Sequence, residues 1–522
     1  MKDWTIMVYL AGDNDLSEDM AKRLIDMRSI FDDKENKAKT DRVELLVFYD
    51  GDNPMIRKKL FNLTKGINGI SVKDPSIFNS SGDKQTVYNF VKWCIKEQKA
   101  VADNYALVLS GHGDGFQQAT FLRDSSSSQF VTVKDLKGIL KKINVEILKK
   151  KKLNVLCFDS CVMNTIEIAN EFKEVAEVMI GSQGYMPSTG LSYQKIVDGL
   201  VAFSSNSPIT KEDIASVFAN AATQANRQFS ELTLRSLDMS VINLDEAIID
   251  SAIKSINDLA AILEKSLPAE PTPESKFLTK ESLKKALLSS HWKCQTYLYD
   301  QSVDIIDFCE SLRYECLLVV REFGMAIENS RAGVLNASGS KTENTSEVNF
   351  TENMSKEDKR RIENILPAIK TMKDIVAACD EVIGKFGDCV TDCCFSGPDY
   401  QYSTGLSVFF PWSLHTYEIT KPKFLALGFA SSNTKSGKTN KWYSFLKRYL
   451  EETLRRPRVS LVEKLKTGDK NFFRAGKVML DPPAKGMLDP PAKGMLISEN
   501  RYKEYFGRTK NFPLNDISDC SK

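Results

Sequence analysis

The stretch Leu153–Asn164, LNVLCFDSCVMN, decides the fold. Its first part, Val155-Leu156-Cys157-Phe158, is a short unbroken apolar run of the kind that fills the middle of a parallel sheet. The run stops at Asp159-Ser160-Cys161, and a helical pattern over Val162–Phe172 follows at once. Strand, turn and helix in succession form the unit of a covered α/β sheet, and reactive groups collect where such strands end. Cys161 is therefore expected beside a helix N-terminus, where backbone N–H groups and the helix dipole favour a thiolate. Cys157, inside the apolar run, reads as core, whereas Cys161 follows two polar residues at the strand end.

A second apolar run, Tyr105–Ser110 (YALVLS), ends in Gly111-His112-Gly113-Asp114-Gly115. The chain has three histidines, and only His112 sits in a glycine-rich turn after a buried strand; it precedes Cys161 by 49 residues. If the two strands are parallel neighbours, His112 and Cys161 emerge side by side. A nucleophilic cysteine needs an imidazole to handle its proton, and a glycine-flanked turn lets backbone N–H groups approach a developing oxyanion. The expected oxyanion donors are the N–H groups of Gly113 and Cys161. A carboxylate two residues before the nucleophile, Asp159, is placed to meet a substrate guanidinium or ammonium, or else to accept backbone hydrogen bonds at the strand end. Ser182 and Gln183 are the expected pocket wall.

Outward from these two strands the chain alternates. Thr5–Ala11 and Val43–Tyr49 read as strands, 57–63 as a short peripheral one, and Asp83–Glu97 as an amphipathic helix with Val87, Phe90, Val91, Cys94 and Ile95 on one face. Helices near Val133–Ile143 and Val162–Phe172 bracket the cysteine strand, and Val178–Ser182 adds a further strand. The expected fold is α/β, with a mostly parallel central sheet flanked by helices on both faces. Residues 1–265 form the expected catalytic domain and 266–280 a proline-rich linker. A mainly helical region over 281–455 is expected to pack on that domain, with 395–412 as the part able to reach the sheet. The tail, 456–522, carries MLDPPAKG twice, and each Pro-Pro forbids regular helix. The turn Gly12-Asp13-Asn14-Asp15 reads as a helix cap, with a calcium-ligand set as the alternative.

Composition narrows the function classes. Basic and acidic residues number 71 and 69, a net charge of +2, which gives no reason to expect nucleic acid or an anionic membrane as partner. No apolar run is long enough to span a bilayer. Eleven cysteines without regular spacing make no disulfide framework. Cys389, Cys393 and Cys394 cluster, but a fourth zinc ligand is missing nearby, so no metal is assigned there. The N-terminus lacks the pattern of a signal peptide, which points to the cytoplasm as the chain is written and to secretion if a leader is missing.

Taken together, Trp4–Leu16 (WTIMVYLAGDNDL), the His112-Gly113 turn, Asp159-Ser160-Cys161, Gly181–Tyr193 (GSQGYMPSTGLSY) and Gly405–Pro411 (GLSVFFP) resemble the clostripain-type cysteine peptidases. The resemblance implies a caspase-like fold and a thiol endopeptidase working through a His112–Cys161 dyad. It implies cleavage after Arg or Lys, with Asp159 accompanying that preference, on protein or peptide substrates. It also implies a zymogen activated by self-cleavage in the loop after His112, where Arg123 is the first basic residue. No cofactor is required on this reading, and calcium as a structural or activating ion is left open. A monomer is expected. The alternatives are an inactive pseudopeptidase that binds partners, and a legumain-like transpeptidase.

Overall fold

The computed structural model describes residues 2–453, apart from 33–41, 53–57, 66–69, 72–77, 117–120, 203–209, 234, 270–271, 298–300, 338–354 and 432–439. The proline repeat of the tail lies outside the described residues.

Among the described residues nine strands form one sheet. In chain order they are β1 (Lys2–Gly12), β2 (Val43–Gly51), β3 (Lys59–Asn62), β4 (Ile70–Ser71), β5 (Ala102–Ser110), β6 (Leu153–Asp159), β7 (Ala176–Gly181), β8 (Leu237–Asn243) and β11 (Val390–Ser396). Their spatial order is β11-β8-β7-β6-β5-β1-β2-β3-β4. The middle five, from β7 to β2, are parallel, and the strands added at either edge run antiparallel.

Parallel strands need crossover helices, and these cover both faces. One face carries α1 (Ser17–Asp32), α5 (Tyr193–Ala202) and α6 (Lys211–Thr233). The other carries α2 (Lys84–Lys92), α3 (Val133–Glu146), α4 (Ile166–Phe172) and α7 (Glu246–Ser266). The period of two along β1 explains its unbroken apolar sequence. Trp4, Ile6, Val8 and Leu10 enter the core under α1, and Met7, Tyr9 and Ala11 enter the core on the opposite side. The expected helix over Asp83–Glu97 is found, capped by Asp83, which accepts from the Gln85 N–H; its last five residues, Trp93–Glu97, widen into a π turn.

The second half of the chain does not form a body apart from the sheet. Helix α7 ends at Ser266 and α8 (Glu274–Lys293) starts soon after, so the connection is shorter than the expected 266–280, and residue 281 already lies inside a helix. Two long helices, α9 (Ile305–Ala337) and α10 (Lys356–Cys389), pack on one another. Helix α10 runs directly into β11, which pairs antiparallel with β8 and completes the sheet. The stretch reaching the sheet therefore begins at Val390, a few residues before the expected 395. A small antiparallel sheet follows, built from β9 (Thr296–Tyr297), β10 (Ser302–Asp304) and β12 (Ser407–Phe409). The last described elements are α11 (Leu414–Leu425), α12 (Gly428–Ser431) and α13 (Lys441–Thr453). Strand β12 is sewn to the segment after Cys161: the Ser407 N–H donates to the Asn164 carbonyl at 3.1 Å, and the Phe409 N–H donates to the Glu167 carboxylate at 2.9 Å. No described helix is long and apolar enough to cross a membrane.

Candidate active site

Register brings the two sequence motifs together. Strands β5 and β6 are parallel neighbours with Ser110 opposite Asp159, so His112 and Cys161 both lie two residues beyond a paired position. The turns that follow are pressed against one another. A methyl group on Gly113 would come within 2.7 Å of the Cys161 carbonyl oxygen and 2.8 Å of Ser160 Cβ. Only glycine lets the backbone after His112 come this near to the nucleophile's own backbone.

The segment after Cys161 is not a helix start. Helix α4 begins at Ile166, capped by Thr165, and the residues between form a tight turn. Val162 there has φ +58°, a left-handed conformation that costs a β-branched residue free energy and persists only where the surroundings impose it. Here they do: the Val162 N–H donates to the Gly184 carbonyl at 2.9 Å and the Asn164 N–H to the Ser182 carbonyl at 3.0 Å. The expected helix N-terminus at Cys161 is thus corrected to a strained turn braced by the 182–184 loop. The sulfur is served by that loop as well: the Met186 N–H donates to Cys161 Sγ at 3.2 Å. Burial pushes the Cys161 thiol up to about 11, against the Met186 N–H, which works the other way; Asp114 and Asp159 raise it further and Arg23 opposes them. In this arrangement Cys161 is held as a thiol.

His112 has a partner that the sequence reading missed. Its Nε2 lies 2.6 Å from Asp15 Oδ1, and the bond holds the Asp15 carboxyl below its ordinary range. No hydrogen bond joins His112 to Cys161 among the described residues. The acidic side chains of the Gly12–Asp15 turn are not used as the expected cap. Asp15 meets His112 and Asp13 accepts from the Ser126 hydroxyl, while Asn14 Oδ1 receives the Leu16 N–H.

Asp159 is buried and already paired. Arg23 on α1 lies 2.6 Å from Asp159 Oδ2, and the Ser110 hydroxyl donates to the same oxygen at 2.8 Å. The remaining Arg23 contacts are Ser110 Oγ, the Met20 sulfur at 3.6 Å and the Ser188 carbonyl at 2.7 Å. Arg23 and Asp159 are 136 residues apart, and nothing in the local sequence of either marks the pair.

Ser182 and Gln183 stand behind the site rather than at its surface. Both are fully buried. The Ser182 hydroxyl donates to Asp238 at 2.8 Å, as do the N–H groups of Gln183 at 2.7 Å and Gly184 at 2.9 Å. The Gln183 amide donates to Asp304 at 3.0 Å and its oxygen accepts from the Gly405 N–H at 2.8 Å. Burial raises the Asp238 carboxyl to about 6. Gly184 also leaves no room for a side chain, since a methyl group would meet the Tyr400 ring at 2.2 Å. Ser182 and Gln183, the expected pocket wall, brace the loop carrying Met186.

Arg123 is exposed, but the bond after it is fastened. The Arg123 carbonyl accepts from Asn14 Nδ2 at 2.7 Å. Asp124 is fully buried, receiving the Ser80 hydroxyl at 2.8 Å and the N–H groups of Ser81 and Ser127 at 3.1 and 2.8 Å. The carboxylates of Asp13, Asp50 and Asp124 have oxygens within 4.8 Å of one another. Burial, together with Asp124 and Asp13, drives the Asp50 carboxyl up to about 7, with Lys58 opposing. An all-oxygen set suits a hard cation such as calcium, not zinc. Beside it, the N–H of Ser81 bridges Asp50 and Asp124, and the buried Ser81 hydroxyl has no hydrogen-bond partner among the described residues.

Residues 8–356, two thirds of the chain, match the clostripain family of peptidases. The chain belongs to the clostripain family. Clostripain of Hathewaya histolytica is 23% identical over 225 residues, 38% of this chain and 42% of that protein, so the match spans less than half the relative's length. Among solved structures, an inactive zymogen C11 protease from Parabacteroides distasonis is 18% identical with a TM-score of 0.47, covering 83% of this chain and 98% of its own. A secreted C11 cysteine protease from Bacteroides thetaiotaomicron, in complex with an irreversible peptide inhibitor, is 14% identical with a TM-score of 0.44, covering 85% and 99%. The α/β sheet covered on both faces fits the caspase-like fold expected of this clostripain-family chain.

Proposed function

We propose that this clostripain-family protein is a cysteine endopeptidase. The Cys161 thiol gives its proton to His112, and the sulfur attacks the carbonyl carbon of the scissile bond. As the C–N bond breaks, His112 returns the proton to the departing amine nitrogen, and water then hydrolyses the thioester. The N–H groups of Gly113 and Cys161 hold the oxyanion, and Asp15 orients the imidazole. The observation that carries the reading is the contact of the Gly113 turn with the Cys161 backbone at the ends of paired strands. Tested on the full chain, a thiol-directed peptidyl ketone is expected to add its mass to Cys161 of the wild type. A label on any other cysteine, or none, contradicts the proposal.

Two finer expectations receive less support from the geometry than the hydrolysis itself. Cleavage after Arg or Lys needs a free carboxylate, and Asp159 is paired with Arg23. Self-cleavage after Arg123 needs that segment to extend into the site, and both sides of the bond are tied to Asn14, Ser80 and Ser81.

We also propose that Asp13, Asp50 and Asp124 hold a calcium ion, which would fasten the segment after His112 to β1 and β2. Millimolar calcium is then expected to raise the melting temperature of the wild type and not that of Asp50→Asn. An equal shift in both proteins, or no shift in either, contradicts the assignment.

A further inference from the structure

An apolar groove of about 600 Å³ opens where α8, α9 and α10 meet. Phe277 and Leu278 of α8, Phe323 of α9 and Ile365 of α10 line it, together with Thr272 and the exposed Arg361. Phe277 is 56% exposed. A concave surface with an aromatic ring left in water is the form a binding site takes, and none of these residues serves the candidate active site. The chain itself leads here. Helix α13 ends at Thr453, and the buried Glu452 carboxylate one residue earlier lies 2.8 Å from Lys280 Nζ. The same nitrogen donates to Thr272 Oγ1 at 2.9 Å. Two hydrogen bonds thus connect the end of α13 to the wall of the groove.

We propose that this groove is the docking site for the chain's own tail, filled by a Met-Leu pair of the MLDPPAKG repeat with the following aspartate against Arg361. The repeat offers Met479-Leu480-Asp481 and Met487-Leu488-Asp489. Length permits it: Met479 lies about 26 residues past Thr453, and a fully extended chain of that length reaches at most about 90 Å. Tethering makes docking intramolecular, at an effective concentration on the order of a millimolar, so a weak contact suffices. Composition fits as well. Methionine and leucine suit a surface of phenylalanine and isoleucine side chains, and methionine adapts to an irregular one. An aspartate beside them matches the guanidinium of Arg361. The Pro-Pro that follows restricts the undocked chain, so less conformational entropy is lost on docking. Docking of this kind does not depend on the peptidase reading.

The experiment uses the full chain carrying Cys161→Ala, which prevents self-digestion, with Phe277 replaced by photoreactive p-benzoylphenylalanine. After irradiation the cross-linked peptides are identified by mass. The expected product joins position 277 to residues 479–489 of the same chain, at a yield unchanged by about tenfold dilution. Leu480→Asp with Leu488→Asp keeps the methionines the probe reacts with and is expected to lower that yield at least about fivefold. Arg361→Glu, which sets like charges together, is expected to lower it at least about twofold. Cross-links to any other part of the tail, cross-links only between two chains, or no cross-link to the tail overturns the inference. A yield that the leucine replacements leave unchanged overturns it too.

Discussion

Gly113 has no side chain because there is no room for one. The atoms a methyl group would meet belong to the backbone of Cys161 and to Ser160 Cβ, and backbone cannot turn aside as a long side chain can. Gly113→Ala is therefore expected to push the two turns apart and to carry the Gly113 N–H away from the oxyanion. Loss of one such donor lowers kcat by about 10²–10³-fold. Steady-state kinetics on a peptide that the wild type cleaves checks this, with the thermal transition measured beside it to separate misfolding from misplacement. A kcat within a factor of about two of wild type would remove Gly113 from the oxyanion site. Asp15 acts more gently, because its carboxylate is largely exposed and screened. Its contact with His112 fixes the ring without burying a charge.

At the scale of elements, the site depends on a loop braced from behind. Asp238 on β8 gathers one hydroxyl and two N–H groups from residues 182–184, and that loop in turn holds Val162 in its strained conformation. Asp238→Asn replaces an acceptor with a group that must donate on one side. At least one buried N–H or hydroxyl is then left unmatched, at a cost of about 1–3 kcal/mol. A lower denaturation midpoint together with a lower kcat is expected; a loss of stability with kcat unchanged would show that the loop does not position the site. How legible these elements were follows from where the information lies. The apolar runs of β5 and β6 and the period of α2 are local, and so were readable. The His112 and Cys161 turns followed from the ends of those runs. What could not be read depends on contacts between distant segments. Arg23 meets Asp159 across two elements, Asp15 meets His112 across 97 residues, and β11 joins the sheet from the far side of two long helices. A carboxylate at a strand end looks the same in sequence whether a substrate or the chain itself supplies its cation.

For the whole molecule, the buried carboxyls decide how stability responds to pH. Asp50 and Glu167 are each raised to about 7 and Asp238 to about 6, in every case chiefly by burial. A carboxyl raised in the folded state binds its proton more tightly there than in the unfolded chain. Its contribution is fully present below the unfolded value and is lost as pH rises through the folded one. The melting temperature is thus expected to fall as pH rises from about 5 to 8, most steeply near 6–7. Glu167→Gln, which keeps an oxygen for the Phe409 N–H, should flatten that fall, and calcium should oppose it through Asp50. A melting temperature that climbs over this interval would contradict the assignment of these groups.

The central claim is that Cys161, with His112 beside it, breaks peptide bonds. The most direct measurement is the mass of the fragments released from an unfolded protein substrate by the full chain, set against Cys161→Ala and His112→Ala prepared in the same way. The account predicts a defined set of new termini with the wild type and none with either variant. Equal fragmentation by all three preparations, or an intact substrate in the wild-type sample after labelling has shown Cys161 to be accessible, would contradict it.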